Sequence, residues 1–176
     1  MSKIIFIGLV NILLVFALAG LAYAQSPEGF DRRVKSAFIF QFTKYVEWPP
    51  RSGDFFIDVI DDADMTSQIG SIVKGSQVEN RKIKVRLVTF DQVETNPGDL
   101  VVFPLNESEK TTYLLKKLKN TPCLTVTHGE GLSRAGALVN FFVVDRNMKF
   151  EINVKATKDA SLNVSAKLLK LAKVNE

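Results

Sequence analysis

The sequence is poor in the residues that build reactive centres. It has one cysteine, Cys123, one histidine, His128, and one tryptophan, Trp48, in 176 residues. A single cysteine excludes an intrachain disulfide and any Cys-x-x-Cys redox motif. A single histidine and a single cysteine together exclude the Cys/His zinc clusters. There is no Gly-x-Ser-x-Gly elbow and no phosphate-cradling glycine-rich loop. Internal repeats, low-complexity segments and long linkers are absent too. The formal charge is only +4, with the basic residues spread out except for some density near the C-terminus. That excludes a nucleic-acid-binding chain on electrostatic grounds. What the sequence does have is apolar material: 46% hydrophobic residues, thirteen of them phenylalanine. Its fold must stand on a hydrophobic core.

The N-terminus carries Lys3, an apolar run from Ile4 to Leu21, and then Ala22-Tyr23-Ala24. Small residues at Ala22 and Ala24 fit the pocket of a signal peptidase. Gln25-Ser26-Pro27 then opens a polar segment. The pattern predicts a cleaved signal peptide over 1–24, export to the periplasm, and a single domain over 25–176. An uncleaved anchor is the competing reading, because the apolar run is close to a bilayer span. No cysteine follows the cleavage motif, which argues against a lipoprotein.

Hydrophobic spacing predicts a helix from Asp31 to Val46, with Val34, Ala37, Phe38, Phe42, Tyr45 and Val46 on one stripe. Ile39 and Phe40 widen that stripe. They are therefore expected either to fill a second layer of core or to meet another chain, and they form a candidate interface. Trp48-Pro49-Pro50 ends the helix. A strand follows at Phe55–Ile60, then a helix at Met65–Lys74 stopped by Gly75. Strands are expected at Lys82–Val88, Asp99–Phe103 and Cys123–Thr127. Between the last two lies an amphipathic helix, Ser108–Asn120, with Tyr113, Leu114, Leu115 and Leu118 inward. This alternation predicts an α/β layered sandwich with a largely parallel central sheet and flanking helices. Ala137–Val144 and Met148–Val154 read as a C-terminal β-hairpin turning at Asp145-Arg146-Asn147. Its second strand points Phe150, Ile152 and Val154 one way and Lys149, Glu151 and Asn153 the other. Ala156–Ala160 reads as a helical turn or two, Leu162–Val164 as extended, and Ser165 as the cap of a last helix carrying Leu168, Leu169, Leu171 and Ala172.

Little in this layout speaks for catalysis. His128-Gly129-Glu130-Gly131 follows a strand at the end where α/β folds hold ligands. A solvated turn with two glycines explains it better. Asp61, Asp62 and Asp64 follow the first strand, where helix capping and solubility account for them. Cys123 sits in an apolar strand and reads as a small core residue. No metal or cofactor is expected.

Four segments in order carry a resemblance. Phe38-Ile39-Phe40-Gln41-Phe42-Thr43-Lys44-Tyr45-Val46-Glu47-Trp48-Pro49 resembles the opening helix of the YfiR family of bacterial periplasmic regulatory proteins. Gly136-Ala137-Leu138-Val139-Asn140-Phe141, Phe150-Glu151-Ile152-Asn153 and Ser165-Ala166-Lys167-Leu168-Leu169-Lys170-Leu171-Ala172 are similar to later strands and the closing helix of that family. The resemblance implies an α/β domain and a non-enzymatic regulator. It implies a membrane-bound signalling partner, a diguanylate cyclase or a sensor kinase, and cyclic di-GMP as the signal held down. A homodimer is compatible with it. Redox control, which the resemblance would also imply through cysteine pairs, cannot carry over to a chain whose Cys123 has no mate.

The residues shared with the family suggest a polar patch of Lys44, Asn140, Glu151, Asn153, Ser165 and Lys167. It reads equally well as a ligand or partner surface and as a satisfied network that fixes strand register and helix docking. A small-molecule-binding sensory domain is the second functional reading, and an enzyme with an unusual site a weaker third.

Overall fold

The computed structural model describes residues 27–105 and 109–175, with side chains from Arg32 onward. The signal-peptide segment with Ala22 and Ala24, and Asn106-Glu107-Ser108, lie outside the described residues. The chain divides into a unit of Met1–Phe30 and a unit of Asp31–Glu176. The fold is that of the second. Among the described residues no helix is long and apolar enough to cross a membrane.

Helix α1 (Pro27–Tyr45) runs into the short strand β1 (Val46–Glu47). Next come β2 (Phe55–Ile60), α2 (Ala63–Val73), β3 (Gln77–Val78), β4 (Arg81–Val88), α3 (Phe90–Thr95), β5 (Leu100–Val102), α4 (Glu109–Lys117) and β6 (Leu124–His128). The chain closes with β7 (Val139–Val144), β8 (Asn147–Asn153), α5 (Val154–Asp159), β9 (Asn163–Val164), α6 (Ala166–Leu169) and β10 (Lys173–Asn175). The main sheet has eight strands in the order β10-β8-β7-β6-β5-β2-β4-β3, and β1 pairs with β9 separately. Strands β4, β2, β5, β6 and β7 are parallel, and β10 is parallel to β8. The hairpin β7–β8 is antiparallel, as is the short β3–β4 pair. This is the layered, mostly parallel α/β sandwich expected from the alternation of elements.

The period-2 alternation of the strands divides the core into two layers. Phe55, Ile57 and Val59 of β2, Leu100 and Val102 of β5, Leu124 and Val126 of β6, Val139 and Phe141 of β7, and Phe150 and Ile152 of β8 face one side. There they meet Ile39 and Phe42 of α1 and Met65, Ile69 and Val73 of α2. Phe42 packs on Phe150 and Phe141 with ring centroids 5.4 and 6.0 Å apart. The opposite layer joins Ile60, Val101, Phe103 and Cys123 to Val93 of α3 and to Leu114, Leu115 and Leu118 at α4.

Several local details differ from expectation. Ala37 is exposed rather than on the buried stripe of α1. The hairpin turn is two residues, not three. Asp145 and Arg146 both take positive φ, the geometry of the tight turn that matches strand twist, and Asn147 already pairs with Val144. Val154 opens α5 instead of ending β8, because the Asn153 side chain accepts from the Ala156 amide and caps the helix. Tyr113 faces solvent, and its hydroxyl donates to Glu94 at 2.8 Å. Leu171 is exposed. The elements β1, β3, α3 and β10 were not anticipated.

Candidate functional site

The second face of the sheet changes character from one edge to the other. Around Val101 of β5, with Ile60 at the end of β2 and Cys123 just before β6, it is apolar and covered by α3 and α4. Towards β7, β8 and β10 it turns polar. Thr127, Asn140 and Glu151 follow one another across neighbouring strands, because Thr127 registers with Asn140 and Asn140 with Glu151. Their side chains form one network. The Thr127 hydroxyl donates to Asn140 Oδ1 at 2.8 Å, and Asn140 Nδ2 donates to Glu151 Oε1 at 3.0 Å and to the Gly129 carbonyl at 2.9 Å. Glu151 Oε2 accepts from Asn175 Nδ2 at 2.7 Å, and Asn175 also donates to Ser133 Oγ at 3.2 Å. Asn140 is buried and Glu151 half-buried. Each carboxylate oxygen thus has a fixed amide donor, which holds the acid in one orientation.

Above this network lies a cleft of about 940 Å³. Glu151, Asn153 and Asn175 line it from the sheet and the start of α5. The Gly131–Gly136 loop and the C-terminal end of α4 form its walls. The loop is a tight structure of its own: Ala135 N–H donates to Gly131 O, and Ala137 N–H to Leu132 O, while Leu132 and Ala137 are anchored in the second core layer. Gly131 and Gly136 take φ of +76° and +113°, conformations that side-chain-bearing residues rarely adopt.

The remaining buried charges brace the sheet. Asp99 accepts from Phe56 N–H at 2.8 Å and from Arg81 through two nitrogens at 3.0 and 2.8 Å. Asp58 receives Arg86 at 2.6 and 2.8 Å and the Gly98 amide at 2.7 Å. A Cβ on Gly98 would stand 2.8 Å from the Phe56 carbonyl, so only glycine fits there. Cys123 is buried, and burial raises its thiol pKa far above the ordinary value, with Asp58 and Asp99 adding to the effect. It is a neutral core thiol. Among the described residues no group of His, Cys, Asp and Glu is placed to hold a metal.

A family model described as YfiR/HmsC-like matches residues 32–173. The chain belongs to the YfiR/HmsC-like family. At the level of that family it is a periplasmic regulator of diguanylate cyclase signalling, and the family is regulatory rather than catalytic. No curated protein matches the sequence. Among solved structures, the ABC domain in complex with L-Trp from Streptococcus pneumonia aligns with a TM-score of 0.48 at 9% identity. The alignment covers 69% of this chain and 55% of that one.

In this YfiR/HmsC-like domain the six residues of the expected polar patch fall into two places. Asn140 and Glu151 share the network, and Asn153 lines the same cleft while capping α5. Lys44, Ser165 and Lys167 stand elsewhere, where the last turn of α1 meets the start of α6. Ser165 N–H donates to the Tyr45 carbonyl, and its hydroxyl caps α6 by accepting from Leu168 N–H at 3.3 Å. Lys44 lies over the Phe40 ring at 4.0 Å, and Lys167 is exposed. No hydrogen bond among the described residues joins these three to Glu151.

The interface expected of Ile39 and Phe40 reduces to Phe40. Ile39 is fully buried against the sheet and unavailable to a partner. Phe40 is half-buried and packs on the core margin. His128 is not on a solvated turn: it ends β6, half-buried, and its Nδ1 accepts from the buried Lys35 Nζ of α1. The two belong to the crevice beyond the carboxyl ends of β2 and β5, where strand order reverses and α/β folds commonly hold ligands. Lys35 and Ile39 reduce it to about 20 Å³, room for about one water. The cleft residues that the sequence reading missed include Ser133, Asn175 and the cations Lys116, Lys119, Arg134 and Lys173. The alternation Leu124-Thr125-Val126-Thr127 did carry a sign that one face of β6 is polar.

Proposed function

We propose that this chain is exported by a signal peptide cleaved after Ala24. In the periplasm it binds a membrane-bound signalling protein and restrains it without catalysing a reaction. A diguanylate cyclase is the expected partner, so that the bound state lowers cyclic di-GMP. The observation that carries this reading is the family match over residues 32–173, nearly the whole of the Asp31–Glu176 unit. The single histidine and the lone buried thiol support a role in binding rather than turnover.

The surface around the end of α1 is the proposed contact. Lys44, Lys167 and the exposed edge of Phe40 lie at that end of the domain, held by the β1–β9 pair and by Ser165 on Tyr45. Cations flanking an apolar edge suit a partner surface with acidic and apolar groups.

A pull-down from the periplasmic membrane fraction tests the reading. The tagged chain is expected to retain a membrane protein with a periplasmic segment and a cytoplasmic signalling domain, and Lys44→Glu with Lys167→Glu is expected to lose it. Retention unchanged by the double substitution would move the contact elsewhere. Failure to retain any membrane protein would contradict the reading.

A further inference from the structure

Charge is unbalanced in the cleft above Glu151. Its two acids are already engaged: Glu151 by the amides of Asn140 and Asn175, and Asp159 by Lys155 at 3.1 Å. Lys116, Lys119, Arg134 and Lys173 also line it, and none has an ion pair among the described residues. Four uncompensated cations around one concavity raise the local concentration of anions.

The floor adds hydrogen-bonding capacity of both kinds. Each Glu151 oxygen uses one acceptor position and keeps another. Asn153 uses its side-chain oxygen on the Ala156 amide, while its Nδ2 has no partner among the described residues. Asn175 uses both N–H groups and keeps its oxygen. Fixed acceptors beside a free donor match hydroxyl groups, which donate and accept at once. No aromatic ring lines the cleft, so a flat aromatic ligand would find nothing to stack on. A volume of about 940 Å³ is that of a site for an organic molecule and far exceeds an inorganic anion.

We propose that this cleft is a binding site for a small hydroxylated organic anion, of the class of sugar acids and sugar phosphates. The anionic group lies among Lys116, Arg134 and Lys173, and the hydroxyls reach Glu151, Asn153 and Asn175. The site is separate from the partner surface at the end of α1 and stands whether or not that surface is used. Such a ligand would connect the regulator to the chemical state of the periplasm.

Isothermal titration calorimetry on the full chain at low ionic strength decides it, with glucuronate and glucose 6-phosphate as probes and glucose and inorganic phosphate as comparisons. At least one anionic sugar is expected to bind about tenfold or more tightly than both comparisons. Which of the two binds separates a carboxylate from a phosphate ligand. Arg134→Ala and Lys173→Ala are both at exposed positions, and each is expected to weaken binding several-fold with an unchanged melting temperature. The proposal is overturned if neither anionic sugar binds. It is equally overturned if inorganic phosphate binds as tightly, or if both variants bind as the parent does.

Discussion

Asn140 and Glu151 stand directly opposite each other across the β7–β8 hairpin, and the amide of one donates to the carboxylate of the other at 3.0 Å. The pair adds a polar contact on one face of the hairpin to the apolar Phe141–Phe150 contact on the other, and both hold the same register. A slip of one residue would turn Phe141 and Phe150 out of the core and bring Asn140 and Glu151 into it. The same pair places Glu151 at the floor of the cleft, so one hydrogen bond serves both packing and the site.

Replacing Asn140 with Ala takes the side-chain donor from the Gly129 carbonyl and from one Glu151 oxygen at once, and leaves the Thr127 hydroxyl only the Val139 carbonyl at 3.3 Å. The expected cost is about 2–3 kcal/mol, the range for leaving buried polar groups unpaired. A double-mutant cycle with Glu151→Ala, followed by urea denaturation, is expected to give a coupling of about 0.5–3 kcal/mol. Additive losses would mean that the pair is not coupled.

Cys123 supplies a pH test. Its thiol is raised in the folded chain by burial, so folding favours the protonated form. The unfolded thiol ionises near 8.5. The stabilising contribution is therefore complete below about pH 8.5 and declines above it, as the unfolded chain releases a proton that the folded chain keeps. Cys123→Ala should remove that alkaline slope, and native protein should react with a thiol reagent only as fast as it unfolds. Rapid labelling of the folded chain would contradict the assignment.

Neighbouring residues on α1 are expected to respond differently to truncation. Ile39→Ala should cost about 2–5 kcal/mol, as for a fully buried side chain, while Phe40→Ala should cost well under the 3–5 kcal/mol of a buried phenylalanine. Chemical denaturation of the two variants measures this. Equal losses would place Phe40 in the core and remove it from the proposed contact surface.

The buried ion pair between Arg81 and Asp99 predicts a further asymmetry. Arg81→Ala leaves a carboxylate that is 1% exposed with its main cation gone, and should cost about 3–5 kcal/mol. Substituting the exposed Lys155, whose partner Asp159 is also exposed, should cost less than about 1 kcal/mol. Thermal denaturation of both variants compares them.

Periodicity made most of the elements legible. The Phe38–Phe42 stripe, the alternation in β8 and the Ser165 cap each correspond to observed structure. Helix α3 was missed although Thr89 and Gln92 form a reciprocal capping box, a signal present in the sequence. Strand β10 was not legible, because three residues are too few to show a period. Asn175, which completes the hold on Glu151, went with it. The cleft was half legible. Glu151 and Asn153 were singled out, but its walls come from α4 and the Gly131–Gly136 loop, which only the parallel pairing of β6 with β7 brings to the same side. Lys44 and Ser165 were expected beside Glu151, but the β1–β9 pairing and the Ser165 amide on the Tyr45 carbonyl hold them at the end of α1 instead.

Export can be checked by intact mass. Protein from a periplasmic extract is expected to begin at Gln25. A dominant species that retains residues 1–24 would make the segment an anchor.

Cyclic di-GMP measured by mass spectrometry in the native host, with and without the gene for this chain, tests the central claim most directly. Deletion is expected to raise the nucleotide several-fold, and the wild-type gene in trans to restore it. A Lys44→Glu/Lys167→Glu variant is expected to fail to restore it while reaching the periplasm folded. Unchanged cyclic di-GMP on deletion would contradict the account of this chain as a restraint on a diguanylate cyclase.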